Sequence, residues 1–311
     1  MDKKSRVLNI LKAIWGVAVV AGGIYYVVKN YSTAIQYLSS INAVKLLLCA
    51  LLIIVVRVQN VELVQQSLVL VGWKPNFKNA FSFVSISQLG KYIPGGVWQF
   101  FARFEAYKEA NITYKNMGKA FIVENVWLVA GSFFVSLAFL LLSRPIELLA
   151  KYGFSMDARL YPVLGASALL LWLITVAVSE LVIRGKGAAL PLGRTLYIFA
   201  SQSVLWILYG ISFFCLFSQT GTLNDLFFTI GAFGLSFLAG YVIVIAPGGL
   251  GVREAVAVLL FSLMFSSSEI GIYTIVHRLL YTLVEFLLAG VALTLTPKKK
   301  LAAETPVSED K

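Results

Sequence analysis

Apolar residues fall along this chain in long blocks rather than in the short alternations of a half-buried sheet. Six blocks, residues 7–28, 44–71, 121–142, 160–183, 196–217 and 272–295, are uninterrupted. Each is long enough to cross a hydrocarbon core of about 30 Å as a helix of about 20 residues. Two further apolar regions, 80–107 and 226–265, are each interrupted by a Pro-Gly-Gly, at Pro94-Gly95-Gly96 and Pro247-Gly248-Gly249. Proline removes a backbone donor and the glycines loosen the chain, so both regions predict a broken helix. Irregular backbone at membrane depth has to be covered by protein or line a watery cavity. Both regions are therefore expected to be helical hairpins that enter and leave on one side. A rival topology lets residues 226–245 cross fully, and then requires the shorter stretch 252–265 to cross as well.

The two breaks share one spacing. Pro94 and Pro247 are 153 residues apart, and the same shift carries Val7 to Leu160, Val44 to Tyr197 and Lys119 to Ile272. Each half then runs span, span, broken hairpin, span, and three crossings per half turn the second copy upside down. The expected fold is an all-α polytopic membrane protein: six full transmembrane helices plus two re-entrant helical hairpins in an inverted repeat. Its halves are residues 1–153 and 154–300, followed by a disordered cytoplasmic tail, 301–311. Inverted repeats are typical of secondary transporters, whose sites lie near the midplane where broken helices meet.

Composition agrees with a membrane solvent: 59% of residues are hydrophobic and 13% charged, with a mean hydropathy of +0.83. The block 7–28 is too long for the apolar part of a signal peptide and has no clear small-x-small cleavage site, so it is expected to be a retained span. The net charge of +11 comes from cations in short connections, where they set topology. With both ends cytoplasmic, seventeen lysines and arginines fall on inside segments and five on outside ones. This bias predicts six full spans with both termini inside, and the expected location is the cell (inner) membrane. Nucleic acid is not an expected partner. Anionic lipid headgroups suit the positive surplus better. Cys49 and Cys215 lie singly in apolar blocks and read as packing residues.

Charges at membrane depth are expensive and mark functional candidates: Arg57, Glu124, Arg253, Glu254, Arg278 and Glu285. A broken helix also frees backbone amides at a positive dipole end, here after Gly96 and Gly251, suited to phosphate or carboxylate. Arg103 and Arg253 follow on the returning arms and add fork-shaped donors for phosphate. The spacings Arg57–Glu62 and Arg278–Glu285 equally allow ion pairs within the bundle, and Arg253-Glu254 equally allows a simple return toward the interface. His277 reads as an interfacial or packing residue. Trp15, Trp73, Trp98, Trp127, Trp172 and Trp206 partly fit an interfacial belt, and Lys298 to Lys300 a stop-transfer anchor.

No catalytic, metal-binding or cofactor-binding residues are expected. The four aspartates, Asp2, Asp157, Asp225 and Asp310, fall in tails or loops, so the Asp-rich magnesium sites of membrane transferases cannot be assembled. GxSxG, HExxH and P-loop motifs are absent. An acid–base mechanism on Glu124 or Glu285 is the one enzyme reading left open.

The strings KYIPGG with a following Arg103, VEN at Val123–Asn125, PGGLGVREA, and HRL at His277–Leu279 resemble the flippase-like transmembrane domain of lysylphosphatidylglycerol synthases, in the form that stands alone without the synthase domain. The likeness covers nearly the whole chain. It implies a helical bundle with paired re-entrant hairpins that moves a phospholipid or a polyisoprenoid-linked headgroup between leaflets. Family positions carry over to Pro94, Gly95, Arg103, Glu124, Pro247, Gly248, Gly249, Gly251, Arg253, Glu254 and Arg278. One departure is Glu124-Asn125, where the family often has Glu-Arg, which leaves the partner of Glu124 unassigned. Without the aminoacyl-transferring domain, lysyl transfer is not expected.

The expected function is thus a membrane lipid translocase for an anionic phospholipid or a polyisoprenoid phosphate lipid. Its substrate site is expected to draw on Pro94, Gly95, Gly96, Arg103, Glu124, Pro247, Gly248, Gly249, Gly251, Arg253, Glu254, Arg278 and Glu285. Two alternatives stay open: a non-transporting partner or scaffold of an envelope or lipid-synthesis enzyme, and a small-solute secondary transporter. Self-association into a homo-oligomer is compatible with all three.

Overall fold

The computed structural model describes residues 25, 28, 31–92, 98–109, 112–143, 159–183, 192–217, 221–243, 249, 251–262 and 265–295. These residues form helices joined by short turns, without strands. The helices are α1 (Tyr31–Ser40), α2 (Ala43–Val69), α3 (Phe77–Gln88), α4 (Trp98–Glu109), α5 (Tyr114–Leu142), α6 (Leu160–Ile183), α7 (Leu192–Phe214), α8 (Leu223–Val242), α9 (Val252–Phe261) and α10 (Ser267–Leu295), with a 3-10 turn at Leu89–Tyr92 after α3. Six of them, α2, α5, α6, α7, α8 and α10, are long and apolar enough to cross a membrane. Five of these correspond to uninterrupted blocks of the sequence. The expected first span, 7–28, falls outside the described residues apart from Tyr25 and Val28, as do the lysine run at 298–300 and the tail.

Helix starts follow local chemistry. Asn42, Asn76 and Thr113 cap α2, α3 and α5 by accepting the backbone N–H three residues on. Thr222 and Asp225 form a reciprocal capping box on α8. Asp225 is therefore a helix-cap residue rather than a loop residue. Along α2, Val44, Leu47, Leu48, Leu51 and Val55 are exposed at helical spacing, the stripe expected where a span meets lipid tails.

Both Pro-Gly-Gly regions are broken as expected: α3 and its 3-10 turn end before residue 93 and α4 starts at Trp98, while α8 ends at Val242 and α9 starts at Val252. At about 1.5 Å per residue α8 is about 30 Å long, and α9 is half that. Phe227 near the start of α8 packs against Phe139 of α5, and the Tyr241 hydroxyl near its end donates to Asn125. α8 thus runs antiparallel to α5 and stops level with Asn125, leaving 114–124 of α5 beyond it.

One pair of helices in the two parts of the chain matches at both ends at the spacing of the two prolines. Tyr114 and Ser267 start α5 and α10, Leu142 and Leu295 end them, and both pairs are 153 residues apart. The packing partners correspond in the same way. α5 lies against α8 while α10 lies against α3, and α3 pairs with α4 as α8 does with α9.

Close approach is made by small residues, the usual device where lipid tails compete with side chains for apolar contact. A Cβ at Gly231 would sit 2.8 Å from the Ser136 carbonyl oxygen and 2.6 Å from Leu140 Cγ; one at Gly210 would sit 2.6 Å from Ile230 Cα. Ser132 donates to the Gly234 carbonyl at 3.1 Å across the α5–α8 seam. Within the first broken pair, Gly90 abuts the backbone of Trp98 and Gln99, and within the second Gly240 abuts Gly249 and Arg253. Gly249 has φ of 69° and Gly251 of 84°, left-handed values that explain glycine at both positions.

The seam makes a prediction. Gly231→Ala forces a methyl into backbone and lowers the unfolding temperature in detergent, with overpacking costing on the order of 1–3 kcal/mol. Gly118→Ala, whose Cβ meets nothing within 4 Å, leaves it within about 1 kcal/mol. Thermal unfolding of the two purified variants checks both.

Candidate functional site

The helix ends at both breaks come together in a cavity of about 470 Å³. Gln88, Lys91 and Tyr92 reach it from the end of α3 and its turn, Gln99 and Arg103 from the start of α4, Gly240 and Tyr241 from the end of α8, and Arg253 from the start of α9. The remaining wall is contributed by the middles of longer helices: Val56, Leu128 and Tyr281 are the central residues of α2, α5 and α10, and all three line it. Its volume is in the range of small-molecule and cofactor pockets. Tyr92, Tyr241 and Ile243 line it and are themselves exposed, so it opens at those residues.

Five cations face this space, Arg57, Lys91, Arg103, Arg253 and Arg278, against one carboxylate in the wall itself, Glu124. A guanidinium or ammonium removed from water is costly unless it is paired and hydrogen-bonded. Four of the five are paired. Arg103 on α4 donates to both oxygens of Glu124 on α5, at 2.6 and 2.7 Å. Arg278 on α10 donates to Glu254 on α9 at 2.5 Å. Glu285 on α10, only 2% exposed, takes two cations, Lys91 at 2.6 Å and Arg57 at 3.3 Å, and also accepts from the Tyr92 hydroxyl at 2.6 Å. Tyr281 lies between these two cations. Its hydroxyl is 3.2 Å from the donating Arg57, and its ring centroid is 4.7 Å from the Lys91 ammonium.

Arg253 is held differently. It is 8% exposed and reaches no carboxylate among the described residues. Its guanidinium sits 4.7 Å from the Phe233 ring centroid, 5.1 Å from that of Phe237 and 5.3 Å from that of Tyr209, and it donates to the Tyr209 hydroxyl at 3.1 Å. Three rings stabilise the charge through their negative faces. A single neutral oxygen satisfies one of its five donors.

Of the residues expected at the site, Arg103, Glu124, Gly249, Arg253 and Arg278 line the cavity. Glu285 and Glu254 stand beside it through their partners. Pro94, Gly95, Gly96, Pro247 and Gly248 lie outside the described residues. The Gly251 amide itself is not left free, because Glu254 folds back to accept it at 2.7 Å and caps α9. Nor are Arg57–Glu62 and Arg278–Glu285 the ion pairs. Each arginine meets a carboxylate on another helix, and Glu62 instead accepts from the Tyr197 hydroxyl. Glu124, whose partner the sequence left unassigned, is neutralised by Arg103, while the neighbouring Asn125 donates to the Phe121 carbonyl at 2.6 Å.

Other residues also take new roles. Lys91 belongs to the site, although the sequence read it as a cytoplasmic loop cation. Taking Lys91, Arg103 and Arg253 out of the topological tally leaves the inside excess of cations in place. His277 is a packing residue, 1% exposed among Phe213, Phe233 and Tyr209, with its Nε2 2.9 Å from Ser212 Oγ. Trp127 and Trp206 are core residues rather than belt residues. Cys49 is buried and Cys215 partly so, and both are free. Among the described residues no His, Cys, Asp and Glu cluster has the makings of a metal site.

No known protein-family model and no curated protein matches the chain.

The Arg103–Glu124 pair predicts a cycle. Glu124→Leu alone leaves a buried guanidinium without a counter-charge and destabilises by roughly 3–5 kcal/mol, whereas Arg103→Leu with Glu124→Leu recovers most of that loss. Denaturation of the single and double variants in detergent reads the difference.

Proposed function

We propose that this chain is a membrane lipid translocase, flippase-like in the sense of the family its KYIPGG and PGGLGVREA strings resemble. In this reading it moves an anionic phospholipid or a polyisoprenoid-linked lipid between leaflets. The observation that carries it is the cavity: five cations and a ring of aromatics, enclosed by helices long and apolar enough to span a membrane. A charged headgroup cannot enter hydrocarbon without a substitute for its hydration shell. Buried arginines and a lysine near the helix midpoints supply one, while the exposed Tyr92, Tyr241 and Ile243 leave an edge along which tails stay in lipid.

The architecture proposed with it is an inverted repeat carrying two re-entrant hairpins, α3–α4 and α8–α9. Three things support this. The boundaries of α5 and α10 coincide at the spacing of the two prolines, contacts exchange between corresponding helices, and each broken pair ends beside the central residues of α2, α5 and α10 rather than beside their far ends. Both termini are taken as cytoplasmic from the charge bias. The role is that of a carrier and not an enzyme, since Glu124 and Glu285, the two carboxylates suited to acid–base work, are both occupied by cations.

Reconstituted liposomes test the activity. With fluorescent anionic phospholipids and polyprenyl-phosphate lipids, wild type exchanges at least one of them between leaflets faster than protein-free liposomes do. Arg253→Ala slows that exchange about tenfold or more, the scale of a lost charge-assisted hydrogen bond. A broad panel that moves no faster than in empty liposomes removes the reading. The topology has its own measurement: with Cys49 and Cys215 replaced by serine, Gly221→Cys and Ser267→Cys both label from outside, and labelling on opposite sides rules out the second hairpin.

A further inference from the structure

The charges around the cavity do not cancel. Arg103 pairs with Glu124 and Arg278 with Glu254. Glu285 carries one negative charge against both Lys91 and Arg57, and Arg253 meets no carboxylate among the described residues. Among the described residues, two positive charges are left over. The segments that complete the two breaks do not change this, because residues 93–97 and 244–248 contain no ionisable side chain. Both surplus charges are deeply set: Arg57 and Arg253 are each 8% exposed, at the level of the central residues of α2 and α10. Uncompensated charge at that depth is among the most expensive arrangements a membrane protein holds. An anion of matching charge in the cavity offsets it.

We infer that the ligand of this cavity is a lipid whose headgroup ends in a phosphate monoester carrying two negative charges, in preference to a phosphodiester lipid carrying one. The inference rests on the translocase reading for its choice of a lipid, and on the charge balance for its choice of headgroup. A terminal phosphate offers three oxygens around one phosphorus, so it can accept from the free edge of Arg253 while facing the Lys91–Arg57 side. A diester has only two free oxygens and one charge. A headgroup with an added amine brings positive charge to a space that already holds an excess. Phosphatidate and polyprenyl phosphate share the monoester chemistry and differ in the lipid that carries it, two acyl chains on glycerol in one and a single isoprenoid chain in the other.

Binding to the purified full chain in detergent measures this without requiring transport. Stabilisation against heat gives dissociation constants for short-chain phosphatidate, phosphatidylmethanol and phosphatidylglycerol, near pH 8, where a monoester carries close to two charges. The expected result is phosphatidate tighter than phosphatidylmethanol by about tenfold or more. The same preference should shrink toward parity in Arg253→Gln and, separately, in Lys91→Met. Equal affinity of wild type for the monoester and the methyl diester overturns the inference, whatever the variants do. Inorganic phosphate or pyrophosphate binding as tightly as phosphatidate overturns its lipid part. A polyprenyl phosphate arm assigns the tail. Preference for the monoester without leaflet exchange keeps this inference and removes the translocase reading; exchange without preference does the reverse.

Discussion

One carboxylate holds the first broken helix pair in place. Glu285 lies near the middle of α10 and accepts from Lys91 and Tyr92, the last described residues before the first break, and from Arg57 at the middle of α2. A helix that ends among buried apolar residues must have its end fastened to something, and there the fastening cannot be bulk water. Here it is a three-way polar contact on a residue 2% exposed. The packing of α3 on α10 and the position of the cavity both follow from that anchor.

The second pair is fastened by other means. Glu254 caps the helix it begins and binds Arg278, so the same side chain fixes the turn and ties α9 to α10. Along α8 the work is done by absence of side chains. Gly231 and Gly234 face Ser132, Ser136 and Leu140 of α5, and Gly240 faces the returning arm. In a medium as apolar as leucine, contact between helices gains little from burial and much from closeness. Two unlike solutions, a charged anchor and a glycine seam, bring the two broken pairs to one cavity.

Much of this was legible in the sequence. Five of the six apolar blocks became helices, and helices end on either side of each Pro-Gly-Gly segment, because length and missing donors act locally. Arg57, Glu124, Arg253, Glu254, Arg278 and Glu285 stood out because a charge has no reason to be in an apolar block unless something meets it. What meets it is not local. The partner of Glu285 lies 194 positions away in Lys91, and no spacing along one helix announces that. Lys91 itself sits where a short cytoplasmic connection and a membrane-buried turn look alike, one residue before an aromatic and three before a proline. Tyr209 and Tyr281 carried no signal, since a tyrosine in an apolar block reads equally as belt or core. The Glu254 cap was the exception: a carboxylate three residues after a glycine at a helix start is a capping pattern.

Arg253 carries a consequence of a different kind. A free arginine holds about 2 kcal/mol of rotamer entropy, which a binding partner normally has to remove. Packed against Phe233, Phe237 and Tyr209, this side chain has already lost most of it when the protein folds. Whatever reaches that guanidinium gives up its own freedom only, so the rings set how tightly an anion is held even though none of them touches it through a charge.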